Sequence, residues 1–213
     1  MKHIYTILLM IIALLTSCEE SDKYTVVVDT DDLICYVEYT SDYQISTSVG
    51  AFDANITAHE WHNGIGRIYF DKPIKKIGNY AFYKCYRLTS INIPDSVTSI
   101  GDYAFCYCYS LTSINIPDSV TSIGGSAFSD CSRLTSIDIP DSVTYIWSSA
   151  FCYCSRLTSV YCRATTPPQL GSFVFAFNAT GRKIYVPRNS VDAYKSAAGW
   201  SNYAAYIVGY DFE

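Results

Sequence analysis

The stretch LTSINIPDSVTSIG, from Leu88 to Gly101, is repeated letter for letter from Leu111 to Gly124. A third copy, LTSIDIPDSVTYIW, begins at Leu134 and differs at three of its fourteen letters. The copies are evenly spaced, since 111 − 88 and 134 − 111 both give 23. A fixed period of about 20 to 50 residues indicates stacked units, each too small to bury its own apolar face. The sequence therefore predicts a repeat solenoid.

Each repeat contains one short strand and two bends. Alternation of apolar and polar side chains over residues 91–93 predicts the strand, and Pro94 ends it because proline cannot donate the next ladder hydrogen bond. Gly101 marks the second bend. The apolar residues of this copy, which stacking would turn into a continuous core, are Leu88, Ile91, Ile93, Val97, Ile100, Ala104, Phe105 and Cys108. The expected fold is therefore β-rich.

The pattern IPDSVTSIG..AF..C..L resembles the BspA-like leucine-rich repeat of bacterial surface proteins. The resemblance covers Ile65 to about Arg163, and it departs from the pattern where Trp147 stands in place of the glycine. It implies a right-handed coil with an N-terminal β cap and a C-terminal cap containing a short helix. It also implies a monomeric, non-enzymatic adhesin or protein-interaction scaffold, whose partner is a surface protein of the host or of bacteria, extracellular-matrix proteins included.

The period also divides the chain into segments. Residues 24–64 alternate like strands and are expected to cap the first coil. Repeats start at residues 65, 88, 111, 134 and 157 and extend to residue 164. A last coil and the C-terminal cap occupy residues 165–213, where a one-residue insertion near Pro167 changes the spacing to 24. The cap is expected to contain a short helix after Asn189 that ends at Gly199.

The first residues have the layout of an export signal. Lys2 and His3 precede an apolar run that is too short to span a bilayer, which predicts a signal peptide over residues 1–17. The sequence LTSC, ending at Cys18, resembles a bacterial lipobox, so Cys18 would be the acylated N-terminus of the mature protein. Residues 18–23 form an acidic tether similar to the surface-export signal of Bacteroides-type lipoproteins. These features predict a lipid anchor in the outer membrane and a protein that faces the cell exterior. The alternatives are an ordinary secreted protein and a periplasmic position.

The sequence lacks the patterns expected of a nucleic-acid-binding protein, a metalloprotease or a glycosidase. The net charge is −5 and basic residues do not cluster, which argues against a nucleic-acid partner. The segment HEWH, from His59 to His62, spaces its histidines one residue closer than the helical HExxH motif of metalloproteases. The stacked Asp95, Asp118 and Asp141 occupy identical turns, so nothing separates their pKa values into acid and nucleophile roles. We therefore expect no catalytic residues and no cofactor.

The cysteines are interpreted as core residues. Equivalent cysteines of successive coils, about 5 Å apart with parallel side chains, are poorly oriented for disulfides. They are Cys85, Cys108, Cys131 and Cys154. The pairs Cys106-x-Cys108 and Cys152-x-Cys154 have a single intervening residue, which is shorter than usual metal-ligand spacing. No metal site is expected.

Two outward-facing surfaces are candidates for ligand binding. The strand face presents the polar row Asn92, Asn115 and Asp138, and the opposite wall carries tyrosines that differ between copies. The candidate tyrosines are Tyr80, Tyr83, Tyr103, Tyr107, Tyr109 and Tyr153, with Tyr86 in the same row. Tyrosine combines a large contact area with a polar tip, which suits a protein or a sugar. A flat, coplanar aromatic platform would favour glycan capture for uptake, and a mixed polar and aromatic patch would favour a protein partner.

The repeated DSV triplets are similar to the acceptor for O-glycosylation in exported proteins of the Bacteroides type. The candidate acceptors are Ser96, Ser119 and Ser142. If they are modified, the intact mass of protein from a native host will exceed the sequence mass by whole hexoses. A spectrum without added hexose would contradict this prediction, and the triplets would then be turn formers only.

Overall fold

The computed structural model describes residues 35–48 and 50–212. The predicted signal peptide, Cys18 and the acidic tether lie outside these residues. The strands are β1 (Tyr36–Ser41), β2 (Ile56–His62), β3 (Ile65–Phe70), β4 (Lys76–Ile77), β5 (Leu88–Asn92), β6 (Ser99–Ile100), β7 (Ser113–Asn115), β8 (Ser122–Ile123), β9 (Ser136–Ile139), β10 (Tyr145–Ile146), β11 (Ser159–Cys162), β12 (Gln169–Leu170), β13 (Lys183–Pro187) and β14 (Ile207–Tyr210). One α-helix, α1 (Val191–Ser196), lies between the 3-10 helices Arg188–Ser190 and Trp200–Tyr206.

The repeat builds parallel sheets from equivalent strands. One sheet has the order β4-β6-β8-β10-β12, and another has the order β9-β11-β13-β14. Strands β5 and β7 pair in parallel with Ile91 opposite Ile114, so the register equals the sequence period. The register becomes 24 where β11 pairs with β13, with Val160 opposite Ile184, as a one-residue insertion requires. The predicted solenoid of leucine-rich-repeat type is confirmed.

Stacked phenylalanines form the centre of the core. Phe82, Phe105, Phe128 and Phe151 are fully buried, and neighbouring ring centroids lie 5.1 Å apart with nearly parallel planes. This separation is close to the spacing of hydrogen-bonded strands. Each ring therefore fills one coil and covers the ring of the next.

A further set of hydrogen bonds runs along the wall opposite β5. Here the amide groups of Tyr80 and Phe82 donate to the carbonyl oxygens of Asp102 and Ala104 in the next coil. Tyr80 adopts a positive φ of 59°. Equivalent residues in the later coils are also left-handed, namely Tyr103, Ser126, Ser149 and Phe173. The strained backbone is therefore a property of the repeat, whatever side chain it carries.

The N-terminal cap differs from the expected stacking. The first sheet has the order β2-β3-β1-β5-β7, in which β1 pairs antiparallel with both β3 and β5. The strand that begins at Ile65 is present, but it pairs antiparallel with β1 and β2 and does not stack beside the strand at Leu88 as the later repeats stack on one another. An open parallel edge would leave backbone groups of β5 unpaired, and β1 supplies their partners.

The C-terminal cap covers the last coil with aromatic side chains. Tyr194 of α1 and Trp200 are fully buried, and the Trp200 indole donates to the Pro168 carbonyl at 2.7 Å. The predicted short helix is present, but it ends at Ser196, and Gly199 (φ 79°) instead precedes the second 3-10 helix. Ser190 makes no side-chain capping bond. Strand β14, which no sequence signal indicated, extends the sheet beyond β13.

The phenylalanine stack predicts a large and local loss of stability. Phe128→Ala should lower the free energy of unfolding by about 3–5 kcal/mol, because the substitution opens a cavity between two rings. Phe177→Ala is the matched control, since Phe177 is also stacked but 63% exposed, and we expect a loss below about 1 kcal/mol. Urea denaturation followed by circular dichroism measures both. Equal losses would contradict a core centred on the buried rings.

Candidate binding surfaces

A group of six tyrosines, four of them exposed, lies on the wall opposite β5. We call it the tyrosine patch; it consists of Tyr80, Tyr83, Tyr86, Tyr103, Tyr107 and Tyr109. Tyr80, Tyr86 and Tyr109 are each more than 40% exposed. Tyr103 and Tyr107 adopt positive φ values of 55° and 64°, and the equivalent residues of the next coil, Ser126 and Asp130, are also left-handed. Because serine and aspartate occupy these two positions in the next coil, the fold does not require tyrosine there.

The rings of the tyrosine patch do not form a flat platform. Tyr80 stacks on Tyr103 with centroids 5.0 Å apart and planes at 6°. Tyr83 meets Tyr80 edge to face at 84°, and its contact with Tyr107 is tilted at 66°. Stacked rings cover one another's faces and present edges and hydroxyl groups to solvent. This geometry therefore favours a protein partner over a sugar.

Charged groups border the tyrosine patch. The Lys84 ammonium lies 5.1 Å from the centroid of the Tyr83 ring, within the range of a cation–π contact. Desolvation, followed by the charge of Asp130, raises the pKa of Tyr109. Its hydroxyl is therefore neutral and can donate a hydrogen bond at neutral pH. The patch combines aromatic area, donors and charges of both signs.

Tyr153 does not belong to this patch. It stacks on Phe177 of the last coil, with centroids 4.6 Å apart and planes at 7°. Phe177 and Phe173 are 63% and 69% exposed, and sequence reasoning missed both. A shift of 24 residues aligns the last coil with the preceding one. This alignment could have identified both residues, because it makes Phe173 the equivalent of Ser149 and Phe177 the equivalent of Tyr153.

The polar row of the strand face is separate from the tyrosine patch. Asn92 and Asn115 are exposed on β5 and β7. The Asp138 carboxylate accepts two hydrogen bonds from the Arg163 guanidinium, at 2.9 and 2.6 Å. Arg163 therefore already binds the Asp138 carboxylate, which the sequence indicated as a candidate ligand-binding group. The structure therefore does not bring these three residues together with the tyrosines.

The proposed glycan acceptors hold neighbouring coils together. The hydroxyl groups of Ser96, Ser119 and Ser142 donate to the carbonyl oxygens of Ile74, Val97 and Val120 at 2.6–2.8 Å. All three side chains are partly buried. An attached sugar would replace this donor, so modification has to compete with an intercoil hydrogen bond. O-glycosylation stays a prediction.

The repeated cysteines serve the core, as their sequence positions indicated. The thiols of Cys108, Cys131 and Cys154 donate to the carbonyl oxygens of Phe82, Phe105 and Phe128 at 3.1–3.3 Å. Asn178 takes the same role in the last coil, donating to Phe151 at 2.8 Å. Burial raises the pKa of Cys85 to about 12, which leaves almost no thiolate at neutral pH.

His59 and His62 of the HEWH segment lie on β2 in different environments. The Tyr39 hydroxyl and the His59 Nε2 atom are hydrogen-bonded at 2.8 Å, and burial lowers the pKa of His59. His62 is exposed at the end of β2. Among residues 35–48 and 50–212, no three His, Cys, Asp or Glu side chains are arranged to hold a metal ion. In the same part of the chain, no helix is long and apolar enough to cross a bilayer.

Comparison with known proteins identifies the repeat. A family model described as the BspA type leucine rich repeat region matches residues 74–198 in six copies. A leucine-rich-repeat protein of T. pallidum is 26% identical, with a TM-score of 0.53 over 65% of this chain and 63% of that chain. No curated protein matches the sequence.

Two further solved structures resemble the chain less closely in shape. A leucine-rich cell surface protein of Faecalibacterium prausnitzii is 27% identical, with a TM-score of 0.37 over 68% of this chain and 55% of that chain. A leucine-rich-repeat protein of Bacteroides ovatus is 22% identical, with a TM-score of 0.35 over 78% and 60%. The chain spans less than two thirds of each of the three solved proteins.

The buried thiols predict a chemically inert core. We expect iodoacetamide at pH 8 to alkylate Cys85, Cys108, Cys131 and Cys154 at least about a hundredfold more slowly in the folded protein than in urea, because burial suppresses the thiolate. Peptide mapping by mass spectrometry measures each site. Rapid labelling of the native protein would contradict the core role, and a mapped disulfide would contradict the parallel orientation of these side chains.

Proposed function

Because the chain belongs to the BspA-type leucine-rich-repeat family, we propose that it is a non-enzymatic cell-surface protein that binds another protein through the tyrosine patch. The observation that carries this proposal is the patch geometry. Its rings are exposed or half-buried, set at several angles and bordered by Lys84 and Asp130. Protein-binding surfaces are typically centred on aromatic residues within a polar rim.

The scaffold supports this function energetically. The patch residues project from a backbone that is hydrogen-bonded coil to coil, for example from Tyr103 to Gly125 and from Tyr107 to Ser129. The ring contacts restrict the side chains further. A rigid surface loses little conformational entropy on binding, so more of the contact energy is available for affinity.

The cellular setting is part of the proposal. The signal-like residues 1–17 and the lipobox-like sequence ending at Cys18 support acylation of Cys18 and anchoring in the outer membrane. The acidic tether supports display on the cell exterior. A partner would then be a surface protein of the host, including the extracellular matrix, or of neighbouring bacteria. Glycan capture is the second candidate, and the wall that carries Trp147 favours it.

Binding should depend on two tyrosines of the patch. On arrays of extracellular-matrix and bacterial surface proteins, we expect saturable binding that the double substitution Tyr103→Ala, Tyr107→Ala weakens about tenfold or more, as for central aromatic residues of interfaces. The matched control is Tyr161→Ala, Tyr185→Ala, a stacked pair with centroids 4.7 Å apart on β11 and β13. Surface plasmon resonance gives the affinities, and thermal denaturation verifies folding. Equal loss in both variants, or no saturable protein binding, would overturn the proposal.

A further inference from the structure

One coil departs from the others on the wall formed by β4, β6, β8, β10 and β12. The equivalent triplets in this sheet begin at residues 76, 99, 122, 145 and 169, and they read KIG, SIG, SIG, YIW and QLG. The YIW triplet places Tyr145 and Trp147 outward on either side of the buried Ile146. Their ring centroids are 4.4 Å apart with planes at 39°.

Trp147 is not explained by packing of the core. Its side chain is 51% exposed. Gly78, Gly101, Gly124 and Gly171 occupy the same repeat position, and a Cβ on any of them would lie within 3 Å of backbone atoms. An exposed tryptophan where the repeat otherwise has glycine adds little to stability. Its presence points instead to a role in binding.

Trp147 forms one end of an open groove along this wall. The groove has a volume of about 500 Å³, within the range of ligand-binding clefts. Gly78, Gly101 and Gly124 line it, so no side chain rises from these positions. It extends over three coil-to-coil steps, or about 14 Å at the usual strand spacing. This length exceeds a single sugar ring and suits an extended ligand.

The groove is lined by polar side chains that can form further hydrogen bonds. Asn79 Oδ1 accepts from the amide of Asp102, and Asp102 Oδ1 accepts from the amide of Gly125, at 2.9 and 2.6 Å. Within the part of the chain that the structure describes, these contacts leave the Asn79 amino group and the second Asp102 oxygen without a partner. Lys76 and Ser122 also line the groove, and their side chains make no hydrogen bond or ion pair with residues 35–48 or 50–212.

We propose that this groove is a carbohydrate-binding site that takes a neutral oligosaccharide. The C–H face of a pyranose ring carries a partial positive charge and stacks on the negative face of an indole, here Trp147 supported by Tyr145. The available donors and acceptors at Asn79 and Asp102 match sugar hydroxyl groups. Lys76 and Asp102 contribute one charge of each sign, which favours an uncharged ligand.

This site is distinct from the tyrosine patch. The two surfaces use different side chains, and they adjoin where Asn79 and Asp102 of the groove precede Tyr80 and Tyr103 in the chain. The glycan site deepens the second candidate function, glycan capture, and does not depend on protein binding by the tyrosine patch, so either can fail without the other.

The test is titration of the purified protein with neutral hexasaccharides, using cellohexaose, xylohexaose and mannohexaose as probes. Isothermal calorimetry and tryptophan fluorescence detect binding. We expect saturable binding of at least one probe and tighter binding of the hexasaccharide than of the matching disaccharide. Trp147→Gly, which restores the residue of the other coils, should weaken binding about tenfold or more, or about 1.4 kcal/mol. Trp147→Phe should retain part of the affinity because it keeps an aromatic face.

Two further variants make the test specific. Ser122→Lys introduces a side chain that the equivalent Lys76 shows the coil can accept, and it should obstruct the groove if Trp147→Gly proves unstable. The double substitution Tyr103→Ala, Tyr107→Ala should leave sugar binding unchanged. No saturable binding of any probe at millimolar concentration, or undiminished affinity in both the Trp147→Gly and Ser122→Lys variants, would overturn the proposal. Protein binding that requires Trp147 would also overturn it, because the groove would then be a peptide site.

Discussion

The separation between successive coils is the constraint on which the other features depend. Phenylalanine rings 5.1 Å apart and strands paired one repeat apart carry the same spacing from the core to the surface. A coil can join the stack only if its inward side chains and its backbone groups meet equivalents at this distance. The insertion before the last coil shows the tolerance, because the Phe151–Phe175 separation widens to 5.7 Å. Beyond Phe175 the ladder ends against Trp200 and Tyr203, which meet it at an angle.

This constraint leaves chemical freedom only at outward positions. The same left-handed backbone carries tyrosine at Tyr103, serine at Ser126 and phenylalanine at Phe173. Side chains there can therefore differ between coils while the hydrogen bonds between coils are kept. The tyrosine patch and the groove beside Trp147 are two such departures from the consensus, and they use different side chains. Buried thiols and intercoil serine hydroxyls belong instead to the scaffold, since their polar atoms already have backbone partners.

Much of the fold could be predicted because each core position recurs in several copies of the repeat, with the same type of side chain each time. The strand after Leu88, the core position of Phe105 and the backbone-capping role of Asn178 all follow from alignment of the copies. The caps were less predictable, since they occur once. Strand β1 lies between β3 and β5 and completes the edge of the sheet, and β14 does the same beyond β13. Both pairings join segments distant in sequence or without a repeated pattern.

The candidate sites were likewise predictable in part: the sequence identified the residues, and the structure was needed for their arrangement. Composition and spacing identified tyrosine-rich coils and marked Trp147 as an exception, but ring orientation depends on side-chain packing between coils. Tyr80 stacks on Tyr103, whereas Tyr153 stacks on Phe177 in a different part of the wall. The sequence by itself determined the coil, its period and its core, because every inward side chain must match its equivalent one repeat away. Only the tertiary structure decided how the ends are closed and which aromatic faces remain open, because these features depend on contacts that no period repeats.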